Sequence, residues 1–456
     1  MAVDIILGGK HWKPNIMFMS TGGHMKERWM ILKNNSQDRI CIIDGYCGIG
    51  KTSWAIQEIN NLPSNSQIMF ITPYLDEVKR IIGACKEKNF VQPDKQLGSG
   101  RKASHLLKLV LAGENIVSTH ALFMNVDDEL INALRENNYI LFLDEVFQPI
   151  DKWHIAPDRI NNKDEITKRD VISLIDREII KANEDYTVKW VYDNIYLSQY
   201  VKLQNLADRN MLYLNNSMLM WSFPIDMFKE DIFPKIYIMT HRFKSQIQSY
   251  YYDYFKLSYG LYSVYNENGK YQIILGQTDE TAWQKKIGKK IHILENHKIN
   301  NIGSFYYDPR SHPYKSALSY SWYDKSPDVA IVRKNANNYF QNIQRCPAKE
   351  RMWTCFKKNI SDIKGDYVSP KNHVSLNTRA TNDYQDKKVL AYLVNRFPDP
   401  FYDSFFFKRG IRINRDEYAL SEMLQWIFRS AIRNDQDIHI YIPAERMRNL
   451  LINYLK

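Results

Sequence analysis

The segment DGYCGIGKTS at residues 44–53 constrains the fold of this chain more than any other. The run before it, RICIIDGY, is apolar and β-branched, as a buried strand is, and SWAIQEINNL after it has apolar residues at helical spacing. A strand, a loop bounded by glycines and a helix that begins near Lys-Thr form a phosphate-binding loop. The segment therefore predicts a nucleotide site at the end of a buried strand.

In such a loop the glycines let backbone amides face the phosphates, and the helix amino terminus adds positive potential. Lys51 would reach the β and γ phosphates of ATP, and the Thr52 hydroxyl would bind Mg²⁺. The residues that we expect to bind ATP are Gly45, Gly48, Gly50, Lys51, Thr52 and Ser53.

A second apolar run, NNYILFLDEVF at residues 137–147, supplies the acidic element that such a site needs. It delivers Asp144 and Glu145 at the carboxyl end of a predicted strand, where parallel sheets bind their ligands. We expect Asp144 to hold Mg²⁺ together with Thr52, and Glu145 to orient and deprotonate the attacking water.

Two further predicted strands end in hydroxyl residues, Thr72 in ITP and Thr119 in STH. Hydroxyl groups at these places suit the phosphates of a nucleic-acid backbone. Each residue could equally cap a helix, so the pattern alone leaves both interpretations open.

The segment YALSEMLQWIFRSAIRN at residues 418–434 predicts an amphipathic helix on which Gln425, Arg429 and Arg433 recur every four residues. No acidic residue interrupts this face. Guanidinium groups in such a row suit contact with a γ-phosphate from a facing domain, and a solvated basic face is the alternative.

In chain order, the motifs GYCGIGKTS, ITP, STH, LDEVF, a strand ending in MT, NTRATN and QWIFRSAIR resemble those of the superfamily 2 helicases. The likeness covers roughly residues 38–150 and 234–445. It is most similar to phage and viral DNA replication helicases, including the origin-binding type.

The resemblance implies two RecA-like domains with ATP and Mg²⁺ in their cleft and DNA across their top. It implies catalytic roles for Lys51, Asp144, Glu145, Gln425, Arg429 and Arg433, coupling through Thr240, and nucleic-acid contacts from Thr72, Thr119, Asn377, Arg379 and Thr381. The chain departs from the family's QxxGRxxR motif, because Phe428 replaces the glycine and the second arginine falls one residue late. Which arginine acts as the finger is therefore open.

The expected fold class is α/β, with two RecA-like P-loop domains, parallel sheets flanked by helices, and inserted α+β segments. We expect an N-terminal extension at 1–37 and a first domain at 38–234 with an insertion at about 151–230. The second domain would span 235–456, with a hairpin and a basic insertion at about 258–325 and a buried strand in VAIVRK at 329–334.

Lysine and arginine total 62 against 51 aspartate and glutamate, a formal charge of +11 that favours a polyanionic partner such as DNA. Replication proteins are further expected partners. No apolar run is long enough to span a membrane. The five cysteines lack CxxC spacing, which indicates a reducing compartment such as the cytoplasm. The resemblance to phage helicases implies that this is the cytoplasm of a bacterial host cell.

These features together predict an ATP-dependent DNA helicase or translocase of phage or mobile-element replication. Two alternatives stay open at this point: a nucleotide-gated P-loop switch, and a DNA-packaging ATPase. A packaging enzyme would need a nuclease with clustered metal-binding acids, whereas the carboxyl half offers QxxxRxxxR.

Overall fold

The computed structural model describes residues 38–153, 166–192, 198–215, 218–296, 298–300, 302, 316–376 and 383–456. The strands are β1 (Ile40–Asp44), β2 (Gln67–Thr72), β3 (Ile116–Thr119), β4 (Tyr139–Asp144), β5 (Ile150–Lys152), β6 (Ile180–Ala182), β7 (Val188–Trp190), β8 (Leu212–Asn215), β9 (Met218–Ser222), β10 (Lys235–Thr240), β11 (Gly260–Glu267), β12 (Lys270–Leu275), β13 (Ile291–Ile293), β14 (Arg351–Thr354), β15 (Val389–Tyr392) and β16 (Ile438–Tyr441). The helices are α1 (Lys51–Asn61), α2 (Leu75–Ala84), α3 (Lys102–Leu111), α4 (His120–Phe123), α5 (Asp128–Arg135), α6 (Lys168–Asp176), α7 (Ser198–Asp208), α8 (Ile247–Tyr254), α9 (Thr281–Gly288), α10 (Tyr320–Lys325), α11 (Val329–Asn338), α12 (Ile360–Ile363), α13 (Pro400–Phe407), α14 (Arg415–Ile427) and α15 (Glu445–Leu455).

The larger sheet has the strand order β12-β11-β1-β10-β4-β2-β3, and every neighbouring pair except β11 and β12 is parallel. Its central strands are almost completely buried, which is why their sequences read as continuous apolar runs. Separate hydrophobic clusters pack against its two faces. We call the part of the chain that carries this sheet the first unit.

The register of the central strands brings three carboxyl ends to one place. Asp44 pairs with Thr240 across β1 and β10, and Asp144 pairs with Met239 across β4 and β10. The phosphate-loop strand and the acidic strand are thus separated by a single strand, and the residues that follow all three meet at the same edge.

One expectation about domain organisation is wrong. The strand Lys235–Thr240 and the hairpin β11–β12 were expected in the second domain, but all three strands belong to the larger sheet. The hairpin itself is confirmed, with Asn268 and Gly269 both at positive φ in its turn. Strand pairing over about 200 residues of sequence is not readable from local patterns, and we propose a boundary after Leu275 instead of at residue 235.

The smaller parallel sheet, in the order β13-β16-β15-β14, belongs to the part of the chain after Leu275, which we call the second unit. A single large hydrophobic cluster surrounds it. The VAIVRK segment, expected as a strand, lies in helix α11, where Val332 and Ala336 are buried four residues apart on one helical face. Two α/β sheets with flanking helices confirm the predicted fold class.

The segment between β4 and β10 forms antiparallel sheets of its own, β5-β9-β8 and β6-β7, with α6 and α7. It has its own hydrophobic cluster. Helix α13 of the second unit packs its phenylalanines Phe401, Phe405 and Phe406 against Tyr213 and Met220 of this inserted segment. The described helices include none with the length and apolar character needed to span a membrane.

Candidate functional site

The phosphate loop lies between the buried end of β1 and the first turn of α1. Gly48 and Gly50 have φ values of 90° and 103°, a region that residues with side chains rarely adopt. A Cβ on Gly50 would lie 2.3 Å from Cε1 of Tyr271. Gly50 is also the residue that caps α1, and it has no side chain to occupy the amides of the first turn. Those amides are therefore available for an anion.

Lys51, Thr52 and Ser53 begin α1, with Lys51 and Thr52 half-buried and Ser53 exposed. The Lys51 Nζ donates to the carbonyl oxygens of Gly45 and Tyr46, at 2.5 and 3.1 Å. These bonds fold the lysine back over its own loop. The ammonium group is thus held beside the loop amides, where the predicted phosphates would bind.

Asp144 is buried at the end of β4, and its carboxylate accepts a hydrogen bond from the Thr72 hydroxyl at 3.2 Å. Burial raises the pKa of Asp144 to about 7, and the negative charges of Glu145 and Glu77 contribute to the increase. A divalent cation beside this carboxylate would stabilise its charged form. Oxygen donors such as Asp144 and Thr52 are the ligands that Mg²⁺ prefers, so these residues fit the predicted metal.

Glu145 has a φ of 64°, which is uncommon for a residue with a side chain. Its amide donates to the Met239 carbonyl at 2.8 Å, and its carboxylate accepts from the Thr240 hydroxyl at 3.1 Å. Gln246 in turn donates from Nε2 to the Thr240 oxygen at 3.0 Å. Two hydrogen bonds in series, from Gln246 to Thr240 and from Thr240 to Glu145, therefore orient the predicted general base.

The predicted arginine row does not lie on one helix. Helix α14 ends at Ile427, Ser430 is extended, and the Ala431 amide donates to the Lys387 carbonyl at 2.9 Å instead of continuing the helix. Gln425 lies on the helix, whereas Arg429 and Arg433 lie in the turns that follow it. The four-residue spacing of these side chains therefore crosses the end of the helix, which the sequence pattern did not reveal.

The charges of both arginines nevertheless affect the pKa of a residue in the phosphate loop. Burial raises the pKa of the Cys47 thiol inside the loop; Lys51, Arg433 and Arg429 lower it, and Glu145 raises it further. The charges that affect the pKa of this thiol therefore come from the loop, the acidic strand and the second unit. Cys47 also packs against the hydrophobic cluster of the second unit.

The two arginines differ in their surroundings. Arg429 is 4% exposed and donates from Nη1 to the Ser375 carbonyl at 3.4 Å. Arg433 is exposed to solvent. Arg429 therefore also stabilises the second unit, while Arg433 is the more accessible guanidinium for a ligand at the loop.

An aromatic stack, which the sequence patterns did not reveal, connects the two sides of the site. The ring of Trp283 on α9 stacks on Tyr46 of the phosphate loop at 4.4 Å and on Phe428 at 4.9 Å. Phe428 directly precedes Arg429 in the chain. Phe428, which stands in place of the glycine of the QxxGRxxR motif, thus connects through Trp283 to the phosphate loop.

We expect Trp283→Ala to lower the thermal unfolding midpoint by about 3 °C or more, because two stacked ring pairs are lost. Trp283→Phe should restore most of the midpoint. Scanning fluorimetry of these variants beside Tyr192→Ala, whose ring is 56% exposed, makes the comparison. A Trp283→Ala midpoint equal to that of Tyr192→Ala would contradict a stabilising stack.

A buried polar cluster lies next to the stack, and it too was not predicted. Glu280 accepts from Tyr454 at 2.7 Å and lies 2.9 Å from the Nε2 of His241, which directly follows Thr240. Arg242 pairs with Glu417 at the start of α14. The segment that holds Glu145 in place is therefore also bonded to the second unit.

The predicted nucleic-acid residues have different outcomes. Thr72 is fully buried and its hydroxyl is bonded to Asp144, and its contact with nucleic acid stays a prediction. Thr119 is half-buried at the end of β3, and its contact stays a prediction. Asn377, Arg379 and Thr381 lie outside the described residues.

Within the described ranges, no three His, Cys, Asp or Glu side chains group closely enough to hold a metal ion.

Two family models match the chain: "YonV C-terminal Rossmann-like domain" over residues 285–455 and "YonV middle domain" over residues 160–221. The chain is 36% identical over 431 residues to "SPbeta prophage-derived uncharacterized protein YonV" of Bacillus subtilis (strain 168). The match covers 92% of this chain and 99% of that protein.

Two solved structures are partly similar to the chain. S. tokodaii Xpd4 has a TM-score of 0.43 and 9% identity, covering 91% of this chain and 94% of that one. The DUF1998 helicase MrfA, bound to DNA and AMPPNP, has a TM-score of 0.29 and 9% identity, covering 92% of this chain and 48% of that one.

Proposed function

Because this chain belongs to the YonV family, whose Bacillus subtilis relative comes from a prophage, we propose that it is an ATP-driven helicase or translocase of prophage DNA. One observation carries the proposal: Trp283 of the second unit stacks on Tyr46 of the phosphate loop and on Phe428, the residue before Arg429. One ring thus contacts both the loop and the segment that carries the arginines, as expected if a triphosphate binds between the two units.

The chain's residues divide the work of hydrolysis. The amides at the start of α1 and the Lys51 ammonium bind the β and γ phosphates, and Thr52 and Asp144 hold Mg²⁺. Mg²⁺ would neutralise charge that develops on the phosphate oxygens. Glu145, oriented by Thr240, accepts a proton from the attacking water. Arg433, or Arg429, stabilises negative charge on the γ-phosphate from the other side.

Movement of the two units relative to each other would follow from a nucleotide site that has residues of both. ATP would hold the units together through Lys51 on one side and an arginine on the other, and hydrolysis would remove that bridge. The bonds of His241 and Arg242 to Glu280 and Glu417 lie beside the bridge and join the same two units. A change at the γ-phosphate can therefore alter how the units pack against each other.

DNA is the proposed track because the chain carries a net charge of +11, which favours a polyanion. The prophage origin of the Bacillus subtilis relative fits a role in prophage replication. The origin-binding type and contacts with replication proteins stay predictions.

A nucleotide-gated switch is the main rival, and a DNA-packaging ATPase is a second. We expect single-stranded DNA to stimulate ATP hydrolysis about 10-fold or more, and the stimulation to fall steeply between 50 and about 200 mM salt because phosphate contacts release counterions. A coupled phosphate-release assay with and without oligothymidylate measures both effects.

Hydrolysis that is unchanged by DNA of any form would favour the switch over the motor. Cleavage of DNA by the purified protein would instead favour the packaging enzyme. Displacement of a strand from tailed duplexes of either polarity would then separate unwinding from simple movement along DNA.

A further inference from the structure

A cavity of about 860 Å³ lies between the two units, beside the catalytic carboxylate. The first unit contributes the segment directly after Glu145, including Phe147, and also Gln246. The second unit contributes most of residues 395–403 and the face of α14 that includes Gln425. The predicted site residue Gln425 therefore lines this cavity.

The cavity wall contains buried polar atoms that lack hydrogen-bond partners among the described residues. They are the Ser421 hydroxyl, in a side chain 2% exposed, and the Arg396 Nε. The rest of the Arg396 guanidinium donates to the Tyr418 hydroxyl at 3.0 Å and to Glu422 at 3.2 Å. Leaving such atoms unsatisfied costs free energy, and a polar ligand in the cavity would satisfy them.

The charges of the wall exclude a phosphate backbone from the interior. Four carboxylates line it, those of Asp151, Asp399, Asp403 and Glu422, against two guanidinium groups, those of Arg396 and Arg415. Both guanidinium groups are already paired, Arg415 with Asp403 and Arg396 with Glu422. The wall therefore disfavours an anionic group, and its unsatisfied polar atoms favour an occupant that carries hydrogen-bonding groups.

Aromatic rings complete the wall. Tyr320 on α10 is 58% exposed, and its ring is held in place by Lys358, whose Nζ lies 3.4 Å from the ring centroid. Phe356, Phe397 and Tyr418 line the same cavity. Planar uncharged groups with polar edges stack on such rings, and nucleobases have these properties.

We propose that this cavity binds unstacked bases of a single DNA strand, with Tyr320 as a stacking face and Ser421 and Arg396 as hydrogen-bonding groups for base edges. The sugar-phosphate backbone stays outside the acidic interior. The proposal rests on the proposed function in one respect: the strand is the one along which the ATPase moves.

The position of the cavity connects its occupant to hydrolysis. Gln246 lines the cavity and bonds Thr240, and Thr240 bonds Glu145. A base that contacts Gln246 can thus change the orientation of the catalytic carboxylate. Strands that lack bases should consequently bind through their phosphates but stimulate hydrolysis less.

The test compares binding of oligothymidylate and of an abasic oligonucleotide of equal length at fixed salt, without nucleotide, by fluorescence anisotropy. Tyr320→Ala should weaken binding of oligothymidylate about 10-fold and leave abasic binding within about twofold. Tyr320→Phe should retain the wild-type preference because the ring remains. Tyr265→Ala, at a tyrosine 46% exposed on β11 away from the cavity, is the matched control and should leave binding of both oligonucleotides as in the wild type.

Equal weakening of both oligonucleotides by Tyr320→Ala would overturn the proposal, since it would show a backbone contact. No weakening beyond that of Tyr265→Ala would overturn it as well. Circular dichroism spectra that match the wild type exclude misfolding as the cause. Base-dependent binding without any stimulation of hydrolysis would instead support base binding in the cavity and contradict the proposed motor.

Discussion

Replacement of Lys51 by alanine is expected to reduce ATP turnover by at least about 100-fold. The lysine is the ammonium group held over the phosphate loop by the carbonyl oxygens of Gly45 and Tyr46. Its loss removes the positive charge that would contact the β and γ phosphates. Steady-state phosphate release with Mg²⁺-ATP and single-stranded DNA measures the effect.

A matched control is Lys79→Ala on α2, because the Lys79 side chain is 76% exposed and its ion-pair partner Asp76 is 94% exposed. That variant should retain wild-type turnover. Wild-type turnover in Lys51→Ala would show that the loop is not the hydrolytic site, and the proposed function would then be wrong.

Arg433→Ala is expected to slow hydrolysis about 1,000-fold while the affinity for ATP changes little. The reason is that an arginine finger acts on charge that develops during phosphoryl transfer, whereas the loop supplies most ground-state contacts. Single-turnover hydrolysis and equilibrium binding of a fluorescent ATP analogue separate the two effects. Arg333→Ala, at an exposed arginine on α11, is the control for loss of charge in the second unit.

Arg429→Ala should behave differently from Arg433→Ala. Because Arg429 is buried and bonded to the Ser375 carbonyl, its replacement should lower the thermal midpoint as well as the hydrolysis rate. If Arg429→Ala slowed hydrolysis as strongly without loss of stability, and Arg433→Ala had no effect, Arg429 would be the finger.

The sequence predicted the parts of the site that are built from contiguous residues. The phosphate loop needs a strand, glycines at positive φ and a helix start, and all of these are encoded within about fifteen residues. Asp144 and Glu145 follow from a buried strand in the same way. Their meeting at one edge also follows, because parallel strands end on the same side of a sheet.

The errors arise where distant segments determine the structure. β10 and the β11–β12 hairpin belong to the first sheet because of pairing with β1, which no local pattern encodes. The prediction continued the arginine row past the true end of α14. Beyond that end the amide of Ala431 bonds the distant carbonyl of Lys387, which no local pattern reveals. The bond between the Thr72 hydroxyl and Asp144 was likewise not readable from the sequence, because the two residues are neighbours only in the fold.

The contacts between the units were not predictable for the same reason. Trp283 and Glu280 belong to no recognisable motif, and their importance lies in what they touch: Tyr46 and Phe428 in one case, His241 and Tyr454 in the other. Phe428, which stands where the QxxGRxxR motif of superfamily 2 helicases has glycine, was a sequence signal that could have indicated an added contact at this place.

The central claim is that one triphosphate is held by both units at once. The most direct test is a structure of the protein with Mg²⁺ and ADP-aluminium fluoride, a mimic of the phosphoryl group in transfer. We expect the mimic to lie within about 3 Å of the Lys51 Nζ and of a guanidinium nitrogen of Arg433 or Arg429. A mimic bound at the loop with both guanidinium groups directed away from it, or bound elsewhere in the protein, would contradict the claim.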